Sequence, residues 1–366
     1  MKNKKELPTV CVLGCGGFVG SHLVERLLDS GDYGQITGID ISDQKIRHLS
    51  GNSRFDFVKA DAHSIELLRP SIEKSSTVIS LVALCNPSLY TTIPLEVIDS
   101  NFTLPLEIVK LCHEYQTRLI HFSTSEVYGK TAMSLSDSSA MDEDGSIDRW
   151  VLTEDTSQLI LGPVRAQRWS YACAKQLLER VIYAYGTSNS LEYTIVRPFN
   201  FIGPRMDFLP GLEGEGIPRV FACFMDALLF EKPLQLVDGG NNRRCFTYID
   251  DAIDAVMAII DNRESSRNQI FNIGNPDNEI SIRDLASLMH QMYGEIRGKA
   301  YLRSSIGSIS GKEFYGEGYD DSDRRIPDIR KAVDCLGWKP KTGLSQTIQL
   351  SMLSFIEHFK TVKNST

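Results

Sequence analysis

Residues 10–31 read VCVLGCGGFVGSHLVERLLDSG. The four apolar residues Val10-Cys11-Val12-Leu13 have the length and β-branched character of a buried strand. Glycines at 14, 17 and 20 follow in a G-x-x-G-x-x-G pattern. Phe18–Asp29 then places Val19, Leu23 and Leu27 on one helical face, with Gly31 suited to a C-cap. Glycines in such a loop let the backbone turn tightly, approach a pyrophosphate and pack helix against strand. The helix N-terminus adds unpaired N–H donors and the positive end of a dipole. The next apolar run ends at Asp40, where a carboxylate accepts from ribose hydroxyls and repels a 2′-phosphate. NAD is therefore expected rather than NADP. The candidate contacts are Gly14, Gly17, Phe18, Val19, Gly20 and Asp40, with Asp61 placed toward the adenine.

Outward from this unit, strand-like runs recur at 36–41, 55–59, 77–83, 118–122 and 193–196, separated by amphipathic stretches such as 170–186. Strands alternating with helices imply right-handed βαβ units, hence an α/β chain with a Rossmann-type, doubly wound parallel sheet. A dinucleotide-binding domain is expected over 1–200 and a smaller, mainly C-terminal substrate lobe over 201–366. The chain is expected to return to the sheet at about 240–275. Residues 131–165, rich in Ser and Asp, read as a solvated loop or flap. Residues 203–218, GPRMDFLPGLEGEGIP, read as a long connection of the kind that is often functional.

The chain has 366 residues, 42% apolar and 23% charged, with a formal net charge of −8. That balance excludes wholesale disorder and disfavours nonspecific binding to nucleic acid or anionic lipid. No apolar run approaches a bilayer span, and no cleavage site follows the basic N-terminus, so a soluble cytoplasmic protein is expected. Eight cysteines without a C-x-x-C pair read as reduced thiols. Seven scattered histidines give no metal-binding spacing, and no structural metal is expected.

The chemistry-bearing pattern is Tyr171 with Lys175, a Y-x-x-x-K spacing that puts both side chains on one helical face. A tyrosine with pKa about 10 is a poor base at neutral pH, and a nearby ammonium is expected to lower it. Tyr171 is then a candidate proton shuttle for a hydroxyl undergoing oxidation. Thr124, following the strand at 118–122, stands where it can hydrogen-bond the reacting oxygen, because ligands bind outside the carboxyl ends of such strands.

Glycine loop, S-T-x-E-V-Y-G, Y-x-x-x-K and R-P-F-N-x-x-G-P-R together resemble the extended short-chain dehydrogenase/reductases that act on nucleotide sugars. Segments such as RWSYACAKQLLERVIYAYG, LVDGGNNRRCFTYIDDAIDAV and EFYGEGYDDSDRRIPDI look like the branch of UDP-apiose/UDP-xylose synthases and, less closely, UDP-glucuronate decarboxylases. The resemblance covers roughly 8–345. It implies NAD-dependent oxidation of UDP-glucuronate at C4, then decarboxylation to a UDP-pentose. By position, Tyr171 is the base, Lys175 tunes it and holds the nicotinamide ribose, and Thr124 orients the hydroxyl. Glu126 and Arg325 match residues near the C6 carboxylate and the later protonation. Arg168 and Asn200 match site residues, and Arg244 matches a diphosphate-binding arginine, with Tyr248 nearby in the same run. Cys85 and Tyr90 match the apiose-forming enzymes. Those enzymes carry cysteine where this chain has Ser125, and a hydroxyl is a far weaker acid than a thiol. The product thus stays open among UDP-xylose, UDP-apiose and UDP-4-keto-pentose. Absence of the S-T-D-E aspartate argues against 4,6-dehydration. A UDP-glucuronate 4-epimerase and a noncatalytic NAD-sensing protein are the competing readings. The resemblance also implies a homodimer, formed by two helices meeting their symmetry mates.

Overall fold

The structure, a computed structural model, describes residues 7–131, 150–210, 217–299, 303–317 and 320–365. The first five strands, β1 (Val10–Leu13), β2 (Ile36–Asp40), β3 (Phe55–Lys59), β4 (Thr77–Ser80) and β5 (Arg118–Phe122), form a parallel sheet. After a short β6 (Val151–Leu152), β7 (Tyr193–Pro198) continues it. The next strands are β8 (Phe201–Ile202), β9 (Leu234–Val237), β10 (Arg243–Cys245) and β11 (Thr247–Tyr248). They are followed by β12 (Gln269–Ile273), β13 (Glu279–Ser281), β14 (Ile306–Ile309) and β15 (Arg324–Pro327).

The seven-stranded sheet has the order β12-β7-β5-β4-β1-β2-β3. The order in which strands are added reverses between β1 and β4, the switch point where such sheets open a crevice. One face carries the helices Ile65–Glu73, Leu104–Glu114 and Ser170–Asn189, which bury Leu68, Ile108 and Leu178. The other carries Phe18–Ser30, Ile249–Asp261 and Arg330–Leu336, which bury Leu23, Ile253 and Ala332. The expected first helix is present, and Gly31 ends it with φ +74°, a left-handed value that glycine adopts without steric cost.

The strand expected over 77–83 ends at Ser80, and the chain beyond it turns to form the crevice wall. A separate apolar cluster, including Phe221, Phe224, Met289 and Met352, lies where the helices Val220–Leu229, Ile282–Arg297 and Leu344–Ser365 meet. A four-stranded sheet, β13-β10-β15-β6, stands beside it. Its register sets Arg244 of β10 opposite Arg325 of β15. Of the Ser- and Asp-rich segment expected to be a flap, 132–149 lies outside the described residues. Among the described residues, no helix is long and apolar enough to cross a membrane.

Candidate active site

A cleft of about 450 Å³ runs from the glycine loop past Tyr171 and Lys175 to Arg244, Arg325 and Asp321. At its first end, Gly14 takes φ +88° as its amide donates to the Ile39 carbonyl at 2.8 Å. A Cβ on Gly20 would lie 2.1 Å from the Gly14 carbonyl oxygen, so only glycine lets helix and loop pack this closely. Gly17 caps the helix without a side chain, and Phe18, Val19 and Gly20 line the cleft with the first turn. Asp40 is fixed from both sides: the Gly16 amide donates to Oδ2 at 2.9 Å and the Ser42 amide to Oδ1 at 3.0 Å. Each oxygen keeps acceptor capacity for a ribose hydroxyl. This cradle fits a dinucleotide: a bare helix N-terminus for the pyrophosphate and a held carboxylate at the next strand end. Neither Asp40 nor Asp61 is among the residues lining this cleft; Asp61 is exposed, with its carboxylate 2.9 Å from His63 Nδ1.

Tyr171 and Lys175 both face the cleft from the helix Ser170–Asn189. Lys175 is 1% exposed and donates from Nζ to the Phe122 carbonyl at 3.0 Å. Burial lowers its pKa to about 8. Tyr171 stacks on Tyr90, with ring centroids 4.9 Å apart and planes 14° from parallel. Its pKa is raised well above 10, first by burial and then by the neighbouring Cys85 and Glu126. That corrects the expectation of a phenol acidified by the ammonium: in the protein alone, desolvation of the phenolate dominates. A hydrogen bond with Thr124 works in the opposite direction. Thr124 also caps the turn Ser125–Tyr128, its Oγ accepting from the Glu126 amide at 3.1 Å.

A buried network holds the helix against that turn. Arg197 of β7 donates to both Glu179 oxygens, at 3.0 and 2.6 Å, and to the Tyr128 hydroxyl at 2.8 Å. The Tyr128 hydroxyl in turn donates to Asn272 Oδ1 at 2.8 Å. Thr124 and Glu126 on the turn are thereby fixed relative to Tyr171 and Lys175 on the helix.

At the far end, Arg168 donates to both Glu126 oxygens, at 2.6 and 3.2 Å. Burial alone would raise the Glu126 pKa, but Arg168 and Arg325 outweigh it and hold the carboxyl ionised. Asp321 accepts from Arg244 Nη2 at 2.8 Å and lies 3.6 Å from both Arg168 and Arg325. Three buried guanidiniums thus surround two carboxylates, leaving this end one positive charge in excess. The Nε–H groups of Arg168 and Arg325 are buried without a hydrogen-bond partner among the described residues. Unpaired buried donors are costly, and an anionic ligand would satisfy them.

Cys85, Tyr90, Ser125 and Asn200 also line the cleft. Cys85 is exposed to it; loss of hydration raises its pKa, against Arg219 and Lys175, which lower it. Asn200 donates to the Cys245 carbonyl at 3.0 Å. Tyr248 does not join them: β11 leads out of the cleft, and the ring packs half-buried against the sheet core at the start of Ile249–Asp261. Sequence reasoning did not single out Asp321 or Arg219, which also line the cleft. Asp321 lies in an acid-rich run that reads as solvated, and Arg219 is a single cation before an apolar helix. Neither carries a local signal.

Crevice, glycine cradle and tyrosine–lysine pair define an NAD-using α/β enzyme. The chain belongs to the NAD dependent epimerase/dehydratase family, which matches residues 10–274, and its cofactor is NAD. It is 47% identical over 353 residues to UDP-D-apiose/UDP-D-xylose synthase 1 of Arabidopsis thaliana, covering 94% of this chain and 90% of the relative. The crystal structure of the PbgP3 protein from Burkholderia pseudomallei superposes with a TM-score of 0.83 at 32% identity, covering 98% of this chain and 99% of the other. UDP-glucuronic acid 4-epimerase from Bacillus cereus, solved with UDP-glucuronic acid and NAD, gives 0.74 at 25% identity over 96% and 99%.

Proposed function

We propose that this chain oxidises UDP-glucuronate at C4 and then releases C6 as carbon dioxide, leaving a UDP-pentose. The observation that carries the reading is the arginine cluster with unpaired buried donors, set at the end of a dinucleotide cleft beyond Tyr171. An acidic protein that takes a substrate with a diphosphate and a carboxylate needs placed cations, and arginine forks suit both groups.

NAD, held by the Gly14–Gly20 loop, Asp40 and Lys175, would supply the hydride acceptor for C4 and the means of returning that hydride. Tyr171 takes the C4 hydroxyl proton, with Thr124 holding the oxygen. Burial raises its pKa in the protein alone, and a positive charge entering beside it on binding would favour the phenolate. The C4 ketone lies β to the C6 carboxylate, so when the C5–C6 bond breaks its electron pair enters an enolate spread over C5, C4 and the C4 oxygen. Tyr171, then protonated, hydrogen-bonds that oxygen. Glu126 is held as an anion and serves to fix Arg168. We assign the proton delivered to C5 to Arg325, whose pKa falls to about 10 through burial and the neighbouring Arg244. Arg244 meets the diphosphate.

We also propose a homodimer through the helices Leu104–Glu114 and Ser170–Asn189 and the short helix Pro94–Ile98, where Leu95, Leu177 and Tyr183 are exposed apolar side chains. The function is tested by incubating the protein with UDP-glucuronate and NAD and resolving products by NMR. A UDP-pentose is expected. UDP-galacturonate alone, with all six carbons kept, would contradict the reading and support the 4-epimerase.

A further inference from the structure

The helix that begins at the glycine loop presents Phe18, His22 and Glu25 at i, i+4 and i+7, one stripe along its length. Every member of that stripe meets Pro204, Arg205 or Arg219. Arg205 donates to both Glu25 oxygens at 2.6 Å and to His22 Nδ1 at 2.9 Å. His22 Nε2 lies 2.9 Å from the Pro204 carbonyl oxygen. With Nδ1 accepting from a guanidinium, the ring is neutral and carries its proton on Nε2. Arg205 also donates to the Lys45 carbonyl at 3.4 Å, in the segment that follows Asp40. Two residues beyond Arg205, Asp207 accepts from the Arg219 amide at 3.2 Å and from Arg219 Nε at 3.0 Å. The Arg219 guanidinium then lies 5.6 Å from the centre of the Phe18 ring, at the cleft wall.

We propose that Arg205 is a positioning residue that couples the two ends of the cleft. It ties the cofactor cradle to the segment carrying Asp207, which sets Arg219, so binding of an anionic nucleotide sugar and binding of NAD strengthen each other. The coupling rests on the nucleotide-sugar reading above. Arg205 itself is not in the cleft lining. Its bidentate bond to Glu25 is of the strong, direction-fixing kind, and it reaches the helix and the segment after Asp40 at once, two residues from the Asp207 that holds Arg219. An anion that draws Arg219 into one position favours the joined arrangement of Arg219, Asp207 and Arg205, and that arrangement holds Phe18 and the Asp40 segment in their NAD-ready places. Linkage then requires the converse effect by the same factor.

The test is calorimetric titration of NAD into the full chain, with and without saturating UDP. Wild type is expected to bind NAD at least about 5-fold more tightly with UDP present. In Arg205→Met that ratio should fall to about one, while each ligand alone still binds. In turnover, KM for both substrates should rise while kcat changes by less than about 3-fold, since an interaction that acts on binding is lost. Wild-type coupling in folded Arg205→Met would overturn the proposal, as would UDP binding to wild type with no coupling. Wild type that binds no UDP would instead sink the nucleotide-sugar reading, and the clasp with it. Should Arg205→Met not fold, Glu25→Gln takes its place: weakened coupling is expected, and unchanged coupling overturns the clasp.

Discussion

At the scale of single residues, the site sets function against stability. Lys175 is buried with its ammonium held by one carbonyl, and its pKa falls from 10.5 to about 8. A base whose folded-state pKa is lowered binds fewer protons in the folded than in the unfolded chain, so its burial is most costly below about pH 8. That cost is relieved as pH rises toward 10.5. Lys175→Met lacks this term. Wild type should therefore gain about 2 kcal/mol relative to the variant between pH 7 and about pH 9.5. Urea unfolding of both proteins across that range would show it, and a constant difference would contradict the assigned environment. We propose Ser125 as the residue-scale determinant of product. It lies in the cleft that Cys85 also lines, and its hydroxyl is a much weaker acid than a thiol. Ser125→Cys should raise the proportion of branched UDP-pentose measured by NMR. An unchanged ratio would move the determinant to Cys85 or Tyr90.

At the scale of elements, the catalytic geometry depends on how a helix is seated on a strand turn. Arg197 and Glu179 are a nearly fully buried pair, with side chains 4% and 5% exposed. Removing one charge leaves the other stranded, and Glu179→Gln should cost roughly 3 kcal/mol of unfolding free energy. Loss of turnover beyond the loss of folded protein would show that the network also holds Thr124 and Glu126 in place. Thermal unfolding alongside kcat separates the two effects. Elements also show where the sequence was legible. β1, β3 and β5 announce themselves as apolar runs bounded by turn signals, and Tyr171 and Lys175 by their spacing on a periodic helix. The sheet β13-β10-β15-β6 does not, because its strands have two to four residues and exist through pairing partners distant in the chain. The juxtaposition of Arg244 and Arg325 follows from that register. The placement of Tyr248 has a separate cause: β11 pairs with β8 in another sheet, a partnership that its neighbours in the Cys-Phe-Thr-Tyr-Ile run do not disclose.

At the scale of the whole molecule, the doubly wound parallel sheet was readable from alternation, whereas the strand order that sets its switch point and the polarity of the cleft were not. An acidic chain assembles a positively charged pocket by bringing Arg168, Arg244 and Arg325 from separate parts of the sequence around Glu126 and Asp321. Burial, which no local pattern reveals, then reverses the expected direction of the Tyr171 shift. The proposed dimer belongs to this scale. Leu177 is 49% exposed on the helix that carries Tyr171, and Leu177→Asp should shift the protein to monomer in analytical ultracentrifugation. A wild-type protein already monomeric at micromolar concentration would contradict that arrangement. The central claim is loss of C6, and the most direct measurement is release of labelled carbon dioxide from UDP-glucuronate carrying ¹³C at C6, with NAD present. One equivalent of label should appear as carbon dioxide for each UDP-pentose formed, and Tyr171→Phe should slow its release by on the order of 100-fold or more. Turnover of the sugar nucleotide with all label retained in the product would contradict the account.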